Sequence, residues 1–346
     1  MDIPINENVI GNNFPVYIIA ELSANHNQDF ELVVKTIRAM KEAGANAVKT
    51  QTYTPDSMTL NIDSEMFMTH KESIWAGQKL YDLYKKAAMP YEWHEKIKRI
   101  AIDLDLDFFS TPFDFEGVDL LNDLDVPAYK IASFEITDIP LIEYVAKKGK
   151  PIIISTGVAT LSDIELAVDA CRKAGNSQII LLKCTSEYPA PIELANLATI
   201  PHLKQTFNVE VGVSDHTMGA TVPIVAVTLG AKMIEKHFIL SRDLGGPDSA
   251  FSMEPEEFAA MVKSVREAEV AVGKINYEVS AKNKLRRRSL FVTKDIEAGE
   301  LFSDLNIASL RPGYGLHPSY YKKIIGRRAE ENIEAGTPLN WDIIGK

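Results

Sequence analysis

The chain has 346 residues, 46% of them hydrophobic, enough for one large core with a small second unit beside it. Its formal net charge of −11 argues against a basic nucleic-acid-binding surface, and no apolar run approaches the ~18 residues of a membrane span. The charge is uneven: residues 281–346 carry 12 Lys and Arg against 8 Asp and Glu, and the remainder 25 against 40. A basic tail on an acidic body predicts that the two surfaces meet, within or between chains. The opening Met1-Asp2-Ile3-Pro4 lacks the basic region of a signal peptide, and Cys171 and Cys184 are too few for a disulfide framework. A reducing cytoplasm is expected. Cys184 closes an apolar run, 179–182 followed by Lys183, with no histidine beside it in sequence, and the expectation is a buried structural thiol.

Eight apolar runs bounded by turn residues read as strands, over 16–22, 47–53, 107–113, 128–134, 151–157, 179–186, 209–215 and 233–239. Amphipathic helical patterns fall over 30–43, 91–104, 115–124, 139–147, 161–174, 218–229 and 255–272. Eight alternations in about 270 residues predict an α/β fold, a (β/α)8 TIM barrel. A doubly wound sheet is the alternative. It is disfavoured because no G-x-G-x-x-G follows the first strand and because chemistry recurs at most strand ends. The long connection over 55–90, with helical patterns at 64–68 and 80–88, is either a wall over the substrate or a structural excursion. The pattern changes after Val272. We place the barrel domain at 1–275, a polar linker at 276–287 and a small domain at 288–346. That last segment contains an internal echo, Ile296-Glu297-Ala298-Gly299 and Ile333-Glu334-Ala335-Gly336, with the Arg311-Pro312-Gly313-Tyr314 loop between its halves. So small a domain has little core and is expected to need a partner surface.

In a parallel barrel the C-terminal strand ends share one face, where active sites form. The first strand ends at Glu21; the second carries Lys49 and Gln51 on one face; the third ends Ser110-Thr111-Pro112-Phe113. The fourth carries Lys130, then Ser133 and Glu135; the fifth ends Ser155-Thr156-Gly157; the sixth runs into Ser186 and Tyr188. The seventh and eighth end in Ser214-Asp215-His216 and Glu235-Lys236-His237. Two imidazoles meeting there suit one divalent metal, although either alone reads as a hydrogen-bonded rim residue. A lysine inside a barrel needs an anion. Lys49 and Lys130, with Thr111, Ser133, Ser155 and Ser214, suit phosphate and carboxylate. A salt bridge from each lysine to Glu21 or Glu135 is the plainer alternative. Glu21 and Glu135 are expected to stay ionised near those lysines, one of them moving protons. A Schiff-base lysine is a third option, disfavoured because a metal would already polarise a carbonyl.

These runs, in order, resemble the sialic acid synthase family: Glu21-Leu22-Ser23-Ala24-Asn25-His26, Val48-Lys49-Thr50-Gln51, Ser110-Thr111-Pro112-Phe113, Tyr129-Lys130-Ile131-Ala132-Ser133-Phe134-Glu135, Val213-Ser214-Asp215-His216 and Ile234-Glu235-Lys236-His237. Within it, the chain looks most like the pseudaminic acid synthases, through Gln51-Thr52-Tyr53-Thr54-Pro55 and Arg311-Pro312-Gly313-Tyr314-Gly315-Leu316-His317-Pro318. Gly245-Gly246-Pro247-Asp248 is closer to the wider family, and Ser186 stands where neuraminate enzymes place Asn. The resemblance implies a barrel followed by an antifreeze-like (SAF) domain. It implies condensation of phosphoenolpyruvate with an acetamido sugar, with neuraminate or legionaminate synthesis as the alternative. It further implies Mn²⁺ or Mg²⁺ on His216 and His237, proton transfer at Glu21 and Glu135, and Tyr188 and Asp248 near the sugar. Arg311 would reach the barrel of a partner chain in a domain-swapped homodimer. A non-catalytic sugar-binding protein is the reading from another class.

Overall fold

The computed structural model describes residues 2–345. The chain divides into two compact units, one ending at Gly273 and one beginning at Lys274. The first opens with an antiparallel hairpin, β1 (Ile3–Ile5) and β2 (Asn8–Ile10). Eight parallel strands follow: β3 (Tyr17–Glu21), β4 (Ala47–Thr52), β5 (Asp107–Pro112), β6 (Tyr129–Ile131), β7 (Ile152–Ser155), β8 (Ile179–Cys184), β9 (Glu210–Asp215) and β10 (Met233–His237). They close into a barrel in chain order, β10 returning to β3. Each strand is covered inside and out; β3, β7 and β8 are mostly apolar runs, while β4 and β10 bury Lys49, Glu235 and Lys236 among their apolar residues. Those apolar residues are why all eight were visible.

Between strands, helices bury one apolar face each. Phe30–Glu42 starts at Asp29, whose carboxylate accepts from the Glu31 and Leu32 amides, and buries Val33, Ile37 and Met40. Leu161–Lys173 begins with a capping box between Thr160 and Asp163. The helix expected from Met218 begins only at Thr221, because Gly219 turns left-handed at φ 80°. The fourth strand stops at Ile131, and Ser133–Glu135 winds into a 3-10 turn. Sequence reading missed the helix Thr199–Phe207 and the N-terminal hairpin. The hairpin belongs to the barrel core: Ile3, Ile5 and Ile10 are fully buried. Asn6 and Asn8 donate to Asp107 at the entry of β5, as does Tyr17. In the insertion, the first predicted helix is a 3-10 turn, Glu65–Phe67, and the second is Leu80–Ala87.

The second unit has its own cluster of buried apolar residues, including Leu290, Val292, Phe302, Ile324 and Leu339. Its regular strands are β11 (Ser289–Val292) and β12 (Ile307–Leu310), paired antiparallel. The segment read as a linker contains a short helix, Ala281–Leu285, capped by Ser280. The internal echo is structural: Ile296 and Ile333 exchange both backbone hydrogen bonds, and Gly299 and Gly336 turn at φ 85° and 91°. Residues 1 and 346, the outer limits of the two expected domains, lie outside the described residues. Among the described residues no helix is long and apolar enough to cross a membrane.

Candidate active site

At the C-terminal mouth of the barrel, β3 and β4 deliver Glu21 and Lys49 in register, and their side chains meet at 2.5 Å. Lys49 also lies 3.3 Å from Glu235 on β10 and donates to Thr111 Oγ1 on β5 at 3.3 Å. Lys130 on β6 reaches the same Glu235 at 3.4 Å, and Ser214 on β9 donates to it at 3.2 Å. Six strands thus contribute to one buried network. Glu235 is its hub, and it was absent from the expected site. The signal was present, since Glu235 and His237 are two apart on one strand and must share a face.

The charges do not follow the expectation that both glutamates stay ionised. Burial pushes Glu21 up to about 7, against Lys49, and pushes Glu135 up to about 7, against Lys130. Burial would raise Glu235 too, yet Lys130 and Lys49 together hold it well below the usual carboxylate range. Burial and the neighbouring Lys49 lower Lys130 despite Glu235. The plainer alternative for Lys49 holds in part: it does bridge Glu21. Lys130 pairs with Glu235 rather than with Glu21 or Glu135.

His216 and His237 meet with ring centroids 5.2 Å apart. The Nδ1–H of His216 donates to the Thr185 carbonyl at 3.0 Å, which leaves Nε2 as the nitrogen free to face a ligand. His237 Nδ1 is buried without a hydrogen-bond partner and lies 3.7 Å from Asp248 Oδ2. Burial, then His216 and the lysines, drive the His237 pKa far down, so its ring is neutral, the form a metal requires. Asp248 in turn accepts from Ser23 Oγ and the Ala24 amide. Two aromatic rings enclose the pair: Tyr188 lies 4.5 Å from His216, and Phe251 4.9 Å from His237. Phe251 escaped sequence reading because it follows a loop, not a strand. Cys184 also differs from expectation. Burial alone would raise its thiol, but His216 at 3.9 Å helps bring it down to about 6.

The remaining expected residues fall around this core. Ser133 Oγ accepts from the Gly157 amide, and Ser186 Oγ lies 3.7 Å from Cys184 Sγ. A Cβ on Gly157 would come 2.1 Å from Ser186 Oγ and 2.8 Å from Ser133 Oγ, so only glycine keeps that space open. Gln51 pairs in register with Thr111, and Phe113 packs on Tyr53 at 5.3 Å. Ser155 Oγ, Glu135 Oε2 and Glu235 Oε2 are buried without partners, like His237 Nδ1. Buried polar atoms in proteins are nearly always satisfied, so four such atoms at one barrel mouth point to a polar ligand. Arg311 belongs to the second unit, where it is exposed just beyond β12. The donors suit a divalent ion with open positions: two imidazoles, with Asp248 adjacent. Among the described residues no three His, Cys, Asp or Glu side chains are gathered tightly enough to enclose an ion by themselves.

Residues 36–277 match the NeuB family model and residues 287–344 match the SAF domain model. The chain belongs to the NeuB family. A pseudaminic acid synthase of Helicobacter pylori is 48% identical over 334 residues, 95% of this chain and 98% of that protein. An N,N'-diacetyllegionaminic acid synthase of Legionella pneumophila is 38% identical, covering 96% of each chain. Among solved structures, the N-acetylneuraminic acid synthetase of Leptospira borgpetersenii superposes with a TM-score of 0.73 at 34% identity, over 82% of this chain and 94% of that one.

Proposed function

We propose that this NeuB-family protein condenses phosphoenolpyruvate with 2,4-diacetamido-2,4,6-trideoxy-L-altrose, giving pseudaminic acid and phosphate. The observation that carries the reading is the group of unsatisfied buried atoms, Ser155 Oγ, Glu135 Oε2, Glu235 Oε2 and His237 Nδ1, ringed by two buried ammonium groups. The choice of sugar rests on the 48% identity to pseudaminic acid synthases.

Lys49, Lys130, Thr111, Ser133, Ser155 and Ser214 take the carboxylate and phosphate of phosphoenolpyruvate. Glu235, held ionised, offsets one of the two lysines, and Glu21, brought to about 7, is only partly ionised beside the other at neutral pH, so the site keeps positive charge for that anion. His216 and His237 hold Mn²⁺ or Mg²⁺, which would polarise the sugar aldehyde. Gln51, Phe113, Ser186, Tyr188 and Asp248 orient the sugar so that the enol carbon of phosphoenolpyruvate bonds to the aldehyde carbon. Water adds at the carbon bearing the phosphate, and the C–O bond to phosphate breaks. Glu21 and Glu135, both brought near 7, are matched to give and accept the protons of these steps at neutral pH. Arg311 completes the site of a partner chain in a domain-swapped homodimer. The free cysteines suit a cytoplasmic enzyme.

Mass spectrometry of products from a panel of acetamido sugars tests the assignment. The expected product is pseudaminic acid, with phosphate released only when sugar, phosphoenolpyruvate and divalent metal are all present. Exclusive formation of neuraminate or legionaminate would reassign the sugar, and turnover that survives EDTA would remove the metal. Mixing Arg311→Ala chains with His237→Ala chains should restore partial activity, and no rescue would count against a shared site. One observation favours a second reading: the lowered pKa of Lys130 is what an amine nucleophile needs. Borohydride trapping of substrate on Lys130, with no metal required, would select a Schiff-base aldolase.

A further inference from the structure

We propose that Trp75, in the insertion after β4, is a positioning residue that sets the sugar-facing wall of the site. The inference rests on the reaction assigned above. Residues 69–78 form a closed loop around Thr69. The Thr69 amide donates to the Gln78 carbonyl at 2.9 Å, and its hydroxyl donates to the Trp75 carbonyl at 2.7 Å. The loop projects Trp75, and the indole joins two segments that are distant in sequence. Nε1–H donates to the Pro247 carbonyl at 2.7 Å, and the ring packs against Tyr188 with centroids 5.8 Å apart.

Each contact lies one step from an imidazole. Tyr188 rests on His216 at 4.5 Å. Pro247 precedes Asp248, whose carboxylate is 3.7 Å from His237. The loop over 245–248 is also held from its other end. Asn27 donates to the Leu244 and Gly245 carbonyls, and a Cβ on Gly246 would strike Asn27 Oδ1 at 2.7 Å. Gly245 and Gly246 both have positive φ, so the loop backbone itself is permissive, and Trp75 and Asn27 hold it together with the bonds that Ser23, Ala24 and Ser252 make to Asp248. Trp75 also lines a cleft of about 290 Å³, together with Gln78, Lys86 and Pro247. One indole therefore fixes both Tyr188 and the segment bearing Asp248, the two groups assigned to the sugar. It touches none of the groups assigned to phosphoenolpyruvate.

The test compares Trp75→Phe, which keeps a ring and loses the donor, with Trp75→Ala, which loses both. Phosphate release is measured with phosphoenolpyruvate and 2,4-diacetamido-2,4,6-trideoxy-L-altrose, and amide hydrogen exchange is followed across the whole chain. For Trp75→Ala the expected result is a KM for the sugar at least tenfold higher, with the KM for phosphoenolpyruvate within twofold. Trp75→Phe falls between Trp75→Ala and wild type. Exchange should rise over 186–190 and 245–251 and stay unchanged in the barrel strands. Equal increases in both KM values, or unchanged exchange over 245–251, would overturn the proposal. Wild-type protein that turns over no sugar would defeat the assigned reaction instead, and the exchange arm alone would then decide the role of Trp75.

Discussion

Glu135 sits in a 3-10 turn directly after β6, with one carboxylate oxygen buried and unpartnered. Burial raises its pKa from 4.5 to about 7. A carboxyl whose folded pKa exceeds its unfolded one binds its proton more tightly when folded. Its favourable contribution is complete below pH 4.5 and is lost as pH rises through about 7. Glu135→Gln removes that loss. Urea unfolding should show the variant more stable than wild type by roughly 2–3 kcal/mol at pH 8, after allowing for partial exposure, and the gain should shrink toward pH 5. The same substitution should abolish turnover at every pH. No gain at pH 8 would mean that Glu135 titrates like an ordinary surface carboxyl, and a gain independent of pH would mean that it does not arise from titration. Cys184 teaches a related lesson. Its run in sequence carries no histidine, and the His216 that helps draw its pKa down comes from the end of a different strand. Titration is set by neighbours in space.

At the level of elements, the strand and helix periods were plain in the sequence because barrel strands are largely apolar and the covering helices show one buried face. What escaped was structure without a period. The β1–β2 hairpin is three residues per strand, and the polar residues at its turn, Asn6 and Asn8, have their partner, Asp107, about a hundred positions away. Among the site residues, those on strand ends were legible. Glu235 was hidden by the louder histidine beside it, and Phe251 and Trp75 by their place in loops. The outward face of the same strands carries a second polar device. Asp215 on β9 and Lys236 on β10 form a fully buried pair at 2.5 Å, and Lys236 also donates to the Thr217 carbonyl. It braces the two strand ends bearing His216 and His237 against each other. Asp215→Ala leaves a buried ammonium uncompensated and should cost about 3–5 kcal/mol, while replacing both residues by leucine should recover most of that. Chemical denaturation of wild type and the two variants checks the brace; a single variant as stable as the double would show the pair to be dispensable.

For the whole molecule, closure is the decisive event. β3 is the first barrel strand and β10 the last, and they pair over five residues, with His237 opposite Glu21. A chain ending at residue 232 lacks β10, leaving the free edges of β3 and β9 as templates for association. Such a chain should sediment as aggregates and show no cooperative melt; a monodisperse, cooperatively melting truncate would mean that the first seven barrel strands are self-sufficient.

That β3–β10 seam has a further consequence. The residues proposed to hold metal and anion straddle a join between segments made early and late in synthesis, so on that proposal affinity for a substrate anion does not grow strand by strand. It switches on only when the cylinder zips shut. Phosphoenolpyruvate protection during refolding would then serve as a clock for that last step, read from the chemistry of the pocket instead of from backbone spectroscopy.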